Sequence, residues 1–346
     1  MKRKQKKIYL FWLGIVLVAI ALFTAEQFYR FKICNFRSKD GQPHAYYVLP
    51  NVPADSLLSH IRRDYSLASV IDWHLHCLVL GYKMPKPGYY CFPSKVGSGV
   101  VIRMLMHGQQ TPVRLTWTNQ IRTREQLAGR LAKQLMMDST DIICRLDSNE
   151  YMQKYGLKRE TAVCMFLPNT YEVYWTMTPD ELFDRMKGEY DRFWNEERQH
   201  KADSLHLTRE EVATLASIVE SETHRTSEHP AIASLYLNRL RKGMRLQACP
   251  TVIFATGNFK LRRVLKHHLN MDSPYNTYLN MGLPPGPIRC SNGSAIDAVL
   301  NAPKTGYIFM CANPDFSGTH VFSSTYAQHA ATAVRYRQAL NARDIH

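Results

Sequence analysis

An uncharged run of eighteen residues, Ile8 to Ala25, follows a tip of seven in which Lys2, Arg3, Lys4, Lys6 and Lys7 carry five positive charges. As a helix at about 1.5 Å per residue it spans roughly 27 Å, close to the hydrocarbon thickness of a bilayer. Within a bilayer the backbone polar groups must pair inside their own segment, which leaves such a run only the helix. The run is therefore read as a single transmembrane helix (8–25), with the basic tip (1–7) in the cytoplasm. A cleaved signal peptide is the competing reading. Its one small-x-small candidate, Ala19-Ile-Ala21, lies inside the apolar run. A buried core helix is a third reading, and the dense basic flank counts against it. Either of the first two exports everything after about Glu26 to the periplasm or the cell exterior.

The length of 346 residues and 45% hydrophobic content allow two domains with real cores. Of the formal net charge of +15, the tip supplies five, leaving about +10 on the exported part. That excess suits membrane headgroups or acidic wall polymers, or is simply a solvated basic surface. Export argues against nucleic acid. Eight cysteines show no C-x-x-C pair, so neither a zinc knuckle nor a thioredoxin-type site is indicated. Disulfides are permitted outside the cytoplasm, and buried free thiols fit equally well. His267-His268 and the pair His224 and His229 lack companions at ligand spacing, so no metal or cofactor is expected.

Residues 26–43, polar from Arg37 to Gln42, read as a linker. The next stretch, 44–110, alternates short strands (Tyr46–Leu49, Tyr89–Phe92) with helices from Ser56 and through Trp73–Leu80. Gly99–Met106 reads as a helix, with a strand left open. This is a small α/β module. A larger unit, 111–346, opens on the alternating strand Val113 to Thr118. Capping boxes at Thr123, Thr178 and Thr208 then start helices. Tyr307–Cys311 and Thr319–Phe322 read as strands, and a last helix runs to about Leu340. The fold class is α+β.

The helix opened by Thr208 carries Val212, Leu215, Ala216 and Val219 at helical intervals, and near its end Glu220 and Glu222. At about 100° per residue the two glutamates point roughly 160° apart, which makes them poor candidates for a carboxylate pair acting on one atom. Glu222 follows Ile218 and Val219 by one turn, and Glu220 follows Ala216 and Ser217. Glu222 therefore reads as the drier carboxyl, able to hold a proton for donation. A solvated or ion-paired side chain is the bland reading of either. Asn238, Arg239 and Gln247 come next, then Thr251, the Tyr275-Asn-Thr-Tyr278 loop and a rigid Gly282-Leu-Pro-Pro-Gly-Pro-Ile288 turn. Amides, hydroxyls and ring faces of this kind suit a sugar cleft, although a tyrosine-rich loop can equally be packing.

The strings A-S-I-V-E-x-E-T, N-R-L-x-x-G-M-x-L-Q, P-T-V-I, Y-N-T-Y, G-L-P-P-G-P-I and G-x-H-V-F-S-x-T-Y-x-x-H run collinearly from Ala216 to His329. Together they resemble the MltG (YceG-like) family of membrane-anchored endolytic murein transglycosylases. Phe166-Leu-Pro-Asn-Thr-Tyr171 and the small module, which resembles the family's LysM-like module, extend the likeness more weakly. The resemblance implies an α+β YceG-like catalytic domain and cleavage between N-acetylmuramic acid and N-acetylglucosamine within glycan strands. It also implies 1,6-anhydro ends and a role in terminating strand elongation. Glu222 matches the family's catalytic acid. Glu220, Asn238, Gln247, Thr251, Tyr275, Asn276, Thr277 and Tyr278 fall on cleft motifs as substrate-binding candidates, with Glu220 alternatively a structural partner of Arg239 or Arg245. The implied partners are peptidoglycan strands, the cell membrane, and proteins of wall synthesis or division. Two departures stand out: Ala248-Cys249 replaces a common Thr-Asp, and Asn169 a common Asp. A lysozyme-like hydrolase and a catalytically idle wall-binding anchor remain the alternatives.

Overall fold

The computed structural model describes residues 2–29, 35–52, 54–82, 84–261 and 263–343. The chain forms two compact units, residues 1–114 with 172–177, and residues 115–171 with 178–346. In the first, α1 (Lys2–Tyr29) is continuous, and its Ile8–Tyr29 segment is the one helix among the described residues long and apolar enough to cross a membrane. It continues past Ala25 because neither glycine nor proline interrupts Glu26-Gln-Phe-Tyr29.

The small module follows the order β1 (Phe36–Arg37), β2 (His44–Val48), α2 (Ala54–Asp64), α3 (Leu67–Leu80), β3 (Gly88–Phe92), β4 (Lys95–Val96) and α4 (Ser98–His107). β2 and β3 pair antiparallel, with Tyr46 opposite Tyr90, which makes a βααβ unit. Gly99–Met106 is helical because Val101, Ile102 and Leu105 all face inward at helical spacing. The linker expected over 26–43 is corrected in its second half. Phe36 is fully buried, pairs with Val96 and stacks on Tyr65 at 4.1 Å between ring centroids. One aromatic in a polar stretch thus begins the core. Residues 30–34, with Cys34, lie outside the described residues. A second departure is the segment 172–177, which returns to this unit. Trp175 packs on Tyr47, and Gln110 donates to the Thr176 hydroxyl.

Strands β5 (Val113–Thr116) and β6 (Thr170–Val173) lie where the chain crosses between the units. The larger unit is mainly helical: α5 (Arg124–Ala132), α6 (Ser139–Asp147), α7 (Asn149–Gln153), a 3-10 turn at Arg159–Met165, α8 (Pro179–Phe193), α9 (Glu196–Leu205), α10 (Arg209–Glu222), α11 (His229–Arg241), α12 (Cys249–Thr256), α13 (Lys266–Leu269) and α14 (Gly293–Leu300). It ends in the antiparallel hairpin β7 (Phe309–Ala312) and β8 (His320–Ser323), followed by α15 (Tyr326–Asn341). All three capping threonines accept from the backbone amide three residues on. At Thr123 the return bond to Gln126 comes from the Arg122 amide.

α10 is the axis of this unit. Every residue from Val212 to Glu220 is buried, rather than one stripe, because α9, α11, α12 and α14 surround it. Ser217 Oγ accepts from the Ile288 amide, docking the Pro-Gly turn onto the helix. A Cβ at Gly286 in that turn would overlap the backbone carbonyl of Glu160. Gly286→Ala is expected to cost about 1–3 kcal/mol of stability, read as a lower urea midpoint with unchanged slope.

Candidate active site

Glu222 is the last residue of α10, where the helix opens onto a pocket of about 300 Å³. α11 contributes Leu235, Tyr236 and Arg239, and the loop after it Leu246 and Gln247. Cys249, Tyr278, Met310 and His329 complete the lining, in which Glu222 is the single carboxyl group. Tyr236 and Arg239 share a face because they are three apart on a helix. The Tyr236 hydroxyl donates to Glu222 Oε1 at 2.6 Å. Arg239 is buried and makes no ion pair with the carboxylate. It donates to the carbonyls of Ile308 (2.7 Å), Leu246 (2.8 Å) and Arg245 (3.3 Å) and to Gln247 Oε1 (3.3 Å), fastening the loop to the hairpin. Gln247 sits at φ +53°, the left-handed region that non-glycine residues seldom adopt. The bonds from Arg239 and from its own amide to the Thr277 carbonyl hold it there.

Burial pushes the Glu222 carboxyl above the ordinary glutamate range; the Tyr236 hydrogen bond and the positive potential of His320 and Arg239 pull it partly back. His320 is itself fixed by buried Glu228, whose carboxylate accepts from its backbone amide and Nδ1. Burial also raises the Cys249 thiol, which lies 3.2 Å from the Tyr278 hydroxyl.

Of the candidates, Glu222, Gln247 and Tyr278 line one pocket, and the others do not. Burial pushes up the carboxyl of Glu222, as expected of the drier glutamate; Glu220, at 5% exposure, is met instead by polar partners. Its carboxylate accepts from Asn119 and from the Asn292 side chain and amide, so it ties two loops together and pairs with neither Arg239 nor Arg245. Thr251 and Thr277 are buried and bond to each other at 2.8 Å, and Thr277 Oγ1 also holds the Ala248 amide. Asn276 donates to the Leu269 and Met271 carbonyls, and Asn238 to those of Thr305 and Tyr307. These polar groups have the backbone for a partner. Tyr275 packs at a tilt against Phe254, 4.7 Å between ring centroids, beside a different pocket, lined by Arg122 and Glu160. Asn169 also lies in a separate depression. Tyr236 is not evident from the sequence, because a tyrosine in an apolar helix reads as core. Its spacing of three from Arg239 was the available signal. Among the described residues no three His, Cys, Asp or Glu converge as metal ligands, and the seven described cysteines are free thiols.

A model of the YceG-like family matches residues 51–335, most of the chain. The chain belongs to the YceG-like family. The match takes in both units and every residue of the pocket. Among relatives, a protein of Bacillus subtilis (strain 168) named endolytic murein transglycosylase is 41% identical over 128 residues, covering 37% of this chain and 35% of its own length. One of the same name from Streptococcus pneumoniae (strain D39) is 25% identical over 334 residues, covering 86% of this chain and 60% of its own. The chain thus spans about a third to three fifths of the length of these relatives. A crystal structure of a YceG-like protein from Listeria monocytogenes aligns over 84% of this chain and 98% of its own at TM-score 0.56 and 24% identity, which fixes a common fold.

Proposed function

We propose that this YceG-like protein is a membrane-anchored lytic transglycosylase that cuts the bond between N-acetylmuramic acid and N-acetylglucosamine inside peptidoglycan strands. The observation that carries the reading is one desolvated carboxyl, Glu222, alone in an open pocket. Glycoside hydrolysis ordinarily needs two carboxyl groups, the second to activate water or attack the sugar. A single carboxyl suffices when the nucleophile belongs to the substrate. Glu222, protonated, gives its proton to the glycosidic oxygen; as carboxylate it then takes the proton of the C6 hydroxyl of the same muramic residue, which closes the 1,6-anhydro ring. Tyr236 holds Oε1 and so leaves Oε2 to face the substrate. Gln247 and Tyr278 supply an amide and a ring for the sugar. The names of the relatives favour murein as the substrate.

The basic tip and α1 support single-pass anchoring with the N-terminus in the cytoplasm and the catalytic unit outside. The βααβ order of the small module supports a LysM-like, wall-binding role for it. Mass spectrometry of digested strands tests the chemistry. Ends lighter than reducing ends by one water are expected, and reducing ends alone would assign a hydrolase instead. Tyr236→Phe gives a second test. Its hydroxyl stabilises the carboxylate, so its loss moves the Glu222 titration further up, and the alkaline limb of the kcat/KM profile is expected at higher pH than in the wild type. A profile that does not move would remove Glu222 as the titrating acid.

A further inference from the structure

α3 is apolar on two opposite sides. Ser69, Val70 and Trp73 are buried on the inner one, with Cys77 and Leu80 packed against the same core. At about 100° per residue, Leu67, Ile71, Leu75, Leu78 and Val79 fall on the other side. They are exposed by 74%, 54%, 56%, 80% and 79%. Asp72, the helix's one acid, falls between the two arcs. Helices apolar all round are normally covered on every side, and a contiguous exposed apolar patch marks a docking surface.

We propose that this outward face of α3 lies against the lipid surface of the membrane that α1 spans. The proposal rests on the reading of α1 as a membrane anchor. The 28 residues of α1 measure about 42 Å as a helix, more than the roughly 30 Å of hydrocarbon, so its C-terminal end reaches the headgroups. Only residues 30–35 separate it from Phe36, the first core residue of the module. Even fully extended, that connection spans no more than about 25 Å. The module therefore cannot leave the vicinity of the bilayer, which keeps an apolar lipid surface always within reach of this face. The charge agrees. Residues 35–114 carry nine lysines and arginines against four aspartates, an excess suited to anionic headgroups around a buried apolar stripe.

The test uses the full chain in nanodiscs of phosphatidylglycerol and phosphatidylethanolamine, with the photocrosslinker benzoylphenylalanine placed singly at Leu75, Leu78, Leu17 in the span, or Leu265 in the larger unit. Because Leu75, Leu78 and Leu265 are exposed, melting temperatures should stay at the wild-type value. Intact-mass analysis is expected to find phospholipid adducts at 17, 75 and 78, with yields at 75 and 78 roughly tenfold above that at 265. Crosslinks from 75 or 78 to a second copy, or no adduct there while 17 labels lipid, would overturn the proposal and leave the anchor standing. Absence of lipid at 17 would overturn both.

Discussion

Replacing Glu222 with glutamine is expected to lower strand cleavage by about 10²–10⁴-fold, the range that general acid–base groups contribute, while leaving the protein folded. Glutamine has the same shape, and its Oε1 can accept the Tyr236 hydroxyl as the carboxylate does. The same substitution should make the protein more stable at neutral pH. Burial holds the folded-state pKa of Glu222 above the unfolded value of about 4.3, so the folded state binds more protons between the two. The stability that protonated Glu222 allows is complete below the unfolded pKa and is lost as pH rises through the folded one. Glutamine never ionises and does not suffer that loss. Its melting temperature should exceed that of the wild type at pH 7, and the difference should close as pH falls below the carboxylate range. Undiminished cleavage would end the catalytic assignment. Equal melting temperatures at every pH would end the desolvation argument even if activity were lost.

Local signals in the chain translated well into structure. The capping threonines 123, 178 and 208 open helices because an N-cap bond involves residues only three apart. The α3 and α4 helices and the β7–β8 hairpin follow from their own periodicity. What failed depends on distant partners. Phe36 stacks on Tyr65, more than twenty positions away, and Trp175 returns to Tyr47 over more than a hundred. The site divides along the same line. A string such as Tyr275-Asn-Thr-Tyr278 places its residues correctly in one loop, but whether an amide or hydroxyl meets a sugar or a backbone carbonyl is decided by what packs beneath it. Asn276 and Thr277 turned inward, and Tyr278 outward. Glu220 likewise has polar side chains waiting on Asn119 and Asn292, which aliphatic neighbours in its own helix could not disclose.

Arg239→Met is expected to produce the largest loss of stability among pocket substitutions, about 3–5 kcal/mol. Arg239 is 8% exposed, and burial lowers the pKa of its guanidinium from the ordinary arginine value without any carboxylate bonded to it. Its attractions go to carbonyl dipoles, at 2.7 Å to Ile308 and 2.8 Å to Leu246, with weaker bonds to Arg245 and Gln247. Methionine fills similar space but leaves those acceptors unpaired, at roughly 1–3 kcal/mol for each buried one. For a unit of this size the melting temperature should fall by roughly 10 °C. Lysine should recover only part, since a single ammonium cannot serve three carbonyls in different directions. Hydrogen exchange can localise the effect. The amide of Gln247, bonded to the Thr277 carbonyl, should lose protection first, because without Arg239 nothing from α11 holds that residue at positive φ. Activity should fall with it, since Gln247 is the pocket's amide donor and stands on the released loop. A methionine variant that melts with the wild type would show that the hairpin and the loop are held by packing alone.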